Sequence, residues 1–231
     1  MRATFGFGDS VVAMPLLALL PIPFSTAVAL VGLVGFTVAI FFAVSGWRHK
    51  DPVVLKKLSI STILGIPFGL ALVKFVSQKW ITVMLGALLV AYAIFSLTGS
   101  RARQAKLQSR FSNTNYSYPF GFASGMLGSA YNMNGIPVVL YAASRDWTAQ
   151  EFTGNVQSHF IISSTLIIIG QFLGGFWTRE LAIYYMFSIP AIIIAVVLGK
   201  YIYSRINTNH FKQYVFYLIL LLGILNLLEI L

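Results

Sequence analysis

The chain has 231 residues, of which 58% are hydrophobic and only 10% charged, with a mean hydropathy of +0.81 and a formal net charge of +10. Soluble domains carry about 25% charged residues and keep roughly 30% of their extended surface wet, so one aqueous core cannot hide this much apolar surface. The composition excludes a soluble enzyme and a disordered tail, and the absence of cysteine excludes a disulfide scaffold and any thiolate metal site; the solvent for most of the chain is lipid.

Runs free of Lys, Arg, Asp and Glu cover 10–47, 58–73, 80–100, 111–144, 152–178, 181–199 and 213–228. A helix crosses the hydrocarbon core with about 20 apolar residues, and the 10–47 run is long enough for two, divided at Pro21-Ile22-Pro23. Eight helices are predicted, near 3–20, 24–46, 58–76, 80–98, 119–143, 152–176, 181–203 and 213–230. Backbone polar groups must be satisfied internally in lipid, and long apolar runs without period-two alternation exclude a closed barrel. The fold class is an all-α polytopic transmembrane helix bundle. Its one polar stretch, GSRARQAKLQSRFSNTNYSY (99–118), reads as a basic linker between two similar four-helix halves, 1–98 and 119–231.

The first predicted helix opens with GFGDSVVAMPLL (6–17), and the fifth contains GSAYNMNGIPVV (128–139). An offset of 122 places Pro15 on Pro137, Gly6 on Gly128 and Thr26 on Thr148, a weak internal repeat. Four helices per unit make the repeat parallel, with its axis along the membrane normal. By the same offset the first helix lacks the beginning that the fifth has, so its natural start is expected upstream of Met1. Gly65-x-x-x-Gly69, Gly121-x-x-x-Gly125 and Gly170-x-x-x-Gly174 provide the small-residue spacing that lets membrane helices approach closely. Trp47, Trp80, Trp147 and Trp177 stand at predicted span ends, as an interfacial aromatic belt requires, and Arg145, Arg179 and Lys74 read as interfacial anchors.

The basic residues cluster in short loops beside apolar spans, which is topology information and gives no reason to expect nucleic acid. With eight crossings, Arg2, Arg48, Lys50, Lys56, Lys57, Arg101, Arg103, Lys106, Arg110 and Arg179 share one side, against six basic residues on the other. This predicts a multi-pass protein of the cell (inner or plasma) membrane with both termini cytoplasmic. No signal-peptide cleavage pattern follows the N-terminus.

Chemistry in such a chain is sought where backbone is irregular or polar groups sit at membrane depth. Pro15 and Pro137 cannot donate to the carbonyls of Val11 and Met133, so each helix is expected to break or bend just before its proline. Broken helices expose N–H groups and a positive dipole end. Interrupted segments at matching places in two halves point to a transporter site. Gly6, Gly8, Asp9, Ser10 and Pro15 would form one wall of a midplane anion pocket, and Gly128, Asn132, Asn134, Gly135 and Pro137 the other. Asp9 is the sharpest single residue, because an acid at this depth costs at least ~2.5 kcal/mol. It reads as a cap of the following half-helix, as a coupling or substrate residue, or as a surface residue. Asn155, His159 and Ser163 recur at i, i+4 and i+8, with Gln171 close to the same face. His159 is a proton-relay candidate or an interhelical hydrogen bonder, and Asn155 is a further coupling candidate.

No Walker loop, GxSxG, HExxH or metal-binding carboxylate cluster occurs. The expectation is therefore no enzyme, no cofactor and no metal site.

RATFGFGDSVVAMPLL (2–17), LGIPFG (64–69) and GMLGSAYNMNGIPVVLY (125–141) together resemble the sulfite exporter TauE/SafE-type family, and the resemblance spans essentially the whole chain. It implies duplicated four-helix transporters moving small organic anions and sulfur compounds across the bacterial inner membrane. Many members carry glycine where this chain has Asp9. The resulting expectation is a secondary transporter of a small anion (organic anion, sulfonate or sulfur oxyanion) coupled to a proton or sodium. The alternatives are a non-transporting membrane assembly subunit and an intramembrane enzyme.

Overall fold

The computed structural model describes residues 9–42, 50–99, 111, 113–203 and 208–228. These residues form an all-helical bundle of α1 (Asp9–Ala18), α2 (Phe24–Phe42), α3 (Pro52–Phe75), α4 (Gln78–Leu97), α5 (Ser117–Tyr131), α6 (Gly135–Ala143), α7 (Ala149–Leu173), α8 (Arg179–Tyr203) and α9 (Thr208–Leu228), with a short 3₁₀ turn at Thr114–Tyr116. The helix predicted over 119–143 is two helices, α5 and α6, separated at residues 132–134. Residues 52–75, 78–97 and 150–173 are each long and apolar enough to cross a bilayer. Large apolar side chains face outward, with Phe75 and Phe187 about four-fifths exposed, as a lipid-facing surface requires.

Two helix starts fall earlier than charge-free runs suggest, for local reasons. Asp51 caps α3, its Oδ1 accepting from the N–H of Val53 at 2.9 Å and of Val54 at 3.2 Å, and Pro52 takes the first helical position. Lys56 and Lys57 therefore lie inside the helix, where Lys57 donates to Asn115 at 2.8 Å. At α7, Thr148 and Glu151 form a capping box.

The closest helix pair joins α3 to α5, and the two predicted glycine motifs form its seam. A Cβ on Gly65 would collide with the carbonyl of Phe122, and one on Gly125 with that of Thr62. Gly69 and Gly121 are equally crowded, against Ser129 and Met126, and against Ser61 and Leu58. Hydroxyls cross the same seam: Thr62 donates to Gly121 O at 3.0 Å and Ser129 to Ile66 O at 2.9 Å. Contact at backbone distance replaces the hydrophobic drive that lipid cannot supply. Gly170 packs on Ile66 of α3, whereas Gly174 lies just past the end of α7. A second close seam joins α4 to α9, with Gly86 against Gly223.

The largest apolar cluster binds α1, α2, α4, α9 and the 132–134 connection, through Met14, Val28, Leu85, Leu89, Tyr131, Met133 and Ile219 among others. Tyr131 sets its ring edge-on to Phe24 at 6.0 Å and donates to Ile81 O at 3.3 Å. Of the predicted belt, Trp147 packs on Tyr141 and beneath Arg145, Trp177 packs on Phe172, and Trp80 is exposed; Trp47 lies outside the described residues.

Candidate functional site

The α5–α6 interruption is built by one asparagine. Asn132 adopts the left-handed conformation (φ 55°, ψ 25°) and closes α5, its N–H donating to Gly128 O at 2.8 Å. Asparagine tolerates this region better than other side-chain-bearing residues. The Asn132 Nδ2 donates to Val28 O of α2, which ties the break to the neighbouring helix. Two residues on, Ser124 donates to Asn134 O at 2.9 Å, and the Asn134 Nδ2 donates to Ser163 Oγ of α7 at 2.7 Å. α6 then starts at Gly135, so Pro137 is its third residue, in a turn whose N–H groups have no intrahelical partner anyway.

The other proline behaves differently. The break expected just ahead of Pro15 is absent: α1 runs from Asp9 through Pro15 to Ala18. Pro15 O, near the helix end, accepts from Asn226 Nδ2 of α9 at 3.2 Å. Packing of α1 against α2, α4 and α9 holds the helix together where propensity alone would end it.

The first turn of α1 and the α5–α6 break line the same cleft, of about 520 Å³ counted out to its mouth. Asp9 and Ser10 stand on one side and Asn132, Met133, Asn134 and Gly135 on the other. The lining is completed by Gly32, Gly35 and Phe36 of α2, and by Phe160, Ser164 and Ile168 of α7. Five of the predicted wall residues are thus brought together: Asp9, Ser10, Asn132, Asn134 and Gly135.

The other predicted wall residues sit elsewhere. Pro15 and Pro137 are buried along their helices away from the lining, and Gly128 packs on Ile167 and on the Cβ of Asn134. Gly6 and Gly8 lie outside the described residues. Asn155, His159, Ser163 and Gln171 are all buried, so the predicted polar stripe of α7 faces the bundle. Asn155 is used at both ends, its Oδ1 accepting from the N–H of Asp51 at 2.8 Å and its Nδ2 donating to Glu151 O at 2.9 Å. His159 is fully buried beside α3, with Nε2 3.1 Å from Thr62 Oγ1. The Thr62 proton is committed to Gly121 O, so His159 must carry its proton on Nε2 and donate. Its Nδ1 is then a buried acceptor with no hydrogen-bond partner.

Sequence reasoning missed Gly32, Gly35, Phe36, Phe160 and Ser164, because nothing local says which face of α2 or α7 meets the break. Asn226 carried a usable signal, as a lone amide within the apolar run 213–228.

In chemical terms the cleft offers a helix start on each long side, neutral amides and hydroxyls. Asp9 is the one ionisable side chain among its described lining residues. Helix starts present partial positive charge to an anion without a counter-cation. Among the described residues no cluster of His, Asp or Glu suits a metal ion.

The family model described as sulfite exporter TauE/SafE matches residues 1–226, which takes in both cleft walls. No curated protein and no solved structure matched the chain. By a family match over nearly its whole length, the chain belongs to the sulfite exporter TauE/SafE family of membrane transporters.

Proposed function

We propose that the protein is a secondary transporter that moves a small anion of the sulfur oxyanion or sulfonate class, coupled to a proton or sodium, through the cleft between α1 and the α5–α6 break. The observation that carries this reading is that Asp9–Ser10 and Asn132–Gly135, far apart in sequence, line one cleft. Helix starts from two segments supply anion affinity, and Asp9 supplies the place where a coupling cation enters the cycle. His159, with its unpartnered Nδ1, is the second coupling candidate. In this reading the bundle is two four-helix halves, 1–98 and 119–231, joined by 99–118, in a cell membrane with both termini cytoplasmic. The family description favours export over uptake.

The test is counterflow in proteoliposomes loaded with sulfite, thiosulfate, taurine, other small sulfonates or short carboxylates, at two pH values and with or without sodium. Saturable exchange of one sulfur anion, steeper under one cation gradient, is the expected result. No saturable flux of any of these by folded protein would overturn the reading and favour a non-transporting subunit.

A further inference from the structure

Beyond the floor of the cleft lies a buried amide with nothing to bind. Ser164, Ile168 and Gln171 recur at i, i+4 and i+7 on α7 and share one helix face. The first two line the cleft and the third continues the line inward. Gln171 is 0% exposed, and neither its Oε1 nor its Nε2 has a hydrogen-bond partner. Leaving such an amide unsatisfied away from water is costly, so the site needs an occupant.

Gly32 of α2 lies between Gln171 and the cleft. A Cβ added there would fall 3.0 Å from Gln171 Oε1 and 3.0 Å from Asn132 Oδ1. The absent side chain keeps open a gap with an amide oxygen on each side. The Asn132 amide cannot be turned, because its Nδ2 donates to Val28 O, a group that only accepts. Its oxygen therefore faces the gap permanently. The Gln171 amide has no protein partner to fix it and adapts to whatever lies there.

A fixed acceptor oxygen repels an oxyanion and attracts an electropositive species. The formal charge on the described cleft lining points the same way, since its ionisable group is the carboxyl of Asp9. An anion entering beside a carboxylate is opposed unless a cation accompanies it.

We infer that the gap over Gly32 is a binding position for a small monovalent cation, sodium, with Asn132 Oδ1 and Gln171 Oε1 as neutral oxygen ligands and Asp9 supplying negative charge from the cleft wall. The inference rests on the reading of this cleft as a transport route and names its coupling ion. Neutral oxygens suit a hard, singly charged ion. Cation and anion would then occupy neighbouring positions, the cation inward of Gly32 and the anion against the helix starts, each lowering the cost of the other. Binding of the two is mutually cooperative by linkage.

The test is equilibrium binding of ²²Na⁺ to the purified full chain, compared with Gln171→Leu, Gln171→Glu and Gly32→Ala, each checked for a monodisperse folded state. Saturable sodium binding by the wild type is expected. Gln171→Leu should weaken it roughly tenfold or more, the scale of one lost polar ligand. Gln171→Glu, which keeps an oxygen at the gap, should retain it, and Gly32→Ala should lose it by filling the space. Added sulfite should tighten sodium binding. Absence of saturable binding in folded wild type, meaning water alone fills the gap, would overturn the inference, as would unchanged affinity in Gln171→Leu. Sulfite exchange that persists at full rate without sodium would refute the cation site and leave the transporter standing. Sodium binding with no anion exchange would refute the transporter and leave the cation site standing.

Discussion

The two walls of the cleft carry similar sequence punctuation and solve the backbone problem in opposite ways. Each has glycines, a polar group and a proline within a dozen residues. On one wall the helix continues through Pro15 for the whole of Asp9–Ala18. On the other it stops at Tyr131, turns at a left-handed Asn132 and restarts at Gly135. The position of the proline separates the cases. Pro137 sits in the first turn of its helix, where a missing N–H costs nothing, and Pro15 sits well inside its own. A proline therefore marks a place where the backbone needs help, and the neighbours decide what form the help takes. Asn226 reaches in from α9 on one wall, and Asn132 and Ser163 hold the break on the other. The chemistry differs in parallel, with a carboxyl on the continuous wall and amides on the broken one.

The largest structural effect should come from the left-handed position. Asn132→Ala forces a β-carbon into that region and strands the Val28 carbonyl, which should cost about 2 to 4 kcal/mol of stability in detergent unfolding. Asn132→Gly keeps the turn and loses only the amide bond, so its cost should be about half. If the two variants were equal, the left-handed turn would not be what holds the broken wall.

A smaller effect, but of opposite sign on the two walls, should follow from removing the prolines. Pro15→Ala restores an N–H for the Val11 carbonyl, worth up to about 3 kcal/mol, and gives back part of that in lost ring burial. A net gain of about 1 kcal/mol is expected, read as a rise in melting temperature. Pro137→Ala gains no helical bond and loses the buried ring, a net loss of about 1 kcal/mol. Shifts of the same sign in both would erase the distinction between an interior and a first-turn proline.

Much of this architecture was legible in the sequence because lipid leaves few options. Charge-free runs located the helices, and the glycine spacings at 65–69 and 121–125 marked faces that do meet, against each other. The break at 132–134 was announced by Asn132, Asn134, Gly135 and Pro137 in close succession. The charge-free runs misled at the start of α3, where Asp51-Pro52 is a stronger signal than the absence of charge, and at α7, where Thr148 and Glu151 set the end. The continuity of α1 through Pro15 could not be read, because it depends on packing against α4 and α9, distant in sequence. The same holds for the Gly32 gap: a glycine in α2 acquires meaning only once α7 brings Gln171 opposite it.

The central claim is that a solute passes between a carboxyl-bearing wall and an amide-bearing one, with the carboxyl tying its passage to a cation. It is tested most directly by ³⁵S-sulfite counterflow and gradient-driven accumulation in proteoliposomes of wild type and Asp9→Asn. The account predicts folded Asp9→Asn protein whose accumulation falls by roughly tenfold or more, a loss of at least ~1.4 kcal/mol in coupling, and no longer responds to sodium or pH. Accumulation equal to wild type, with the same cation dependence, would contradict it.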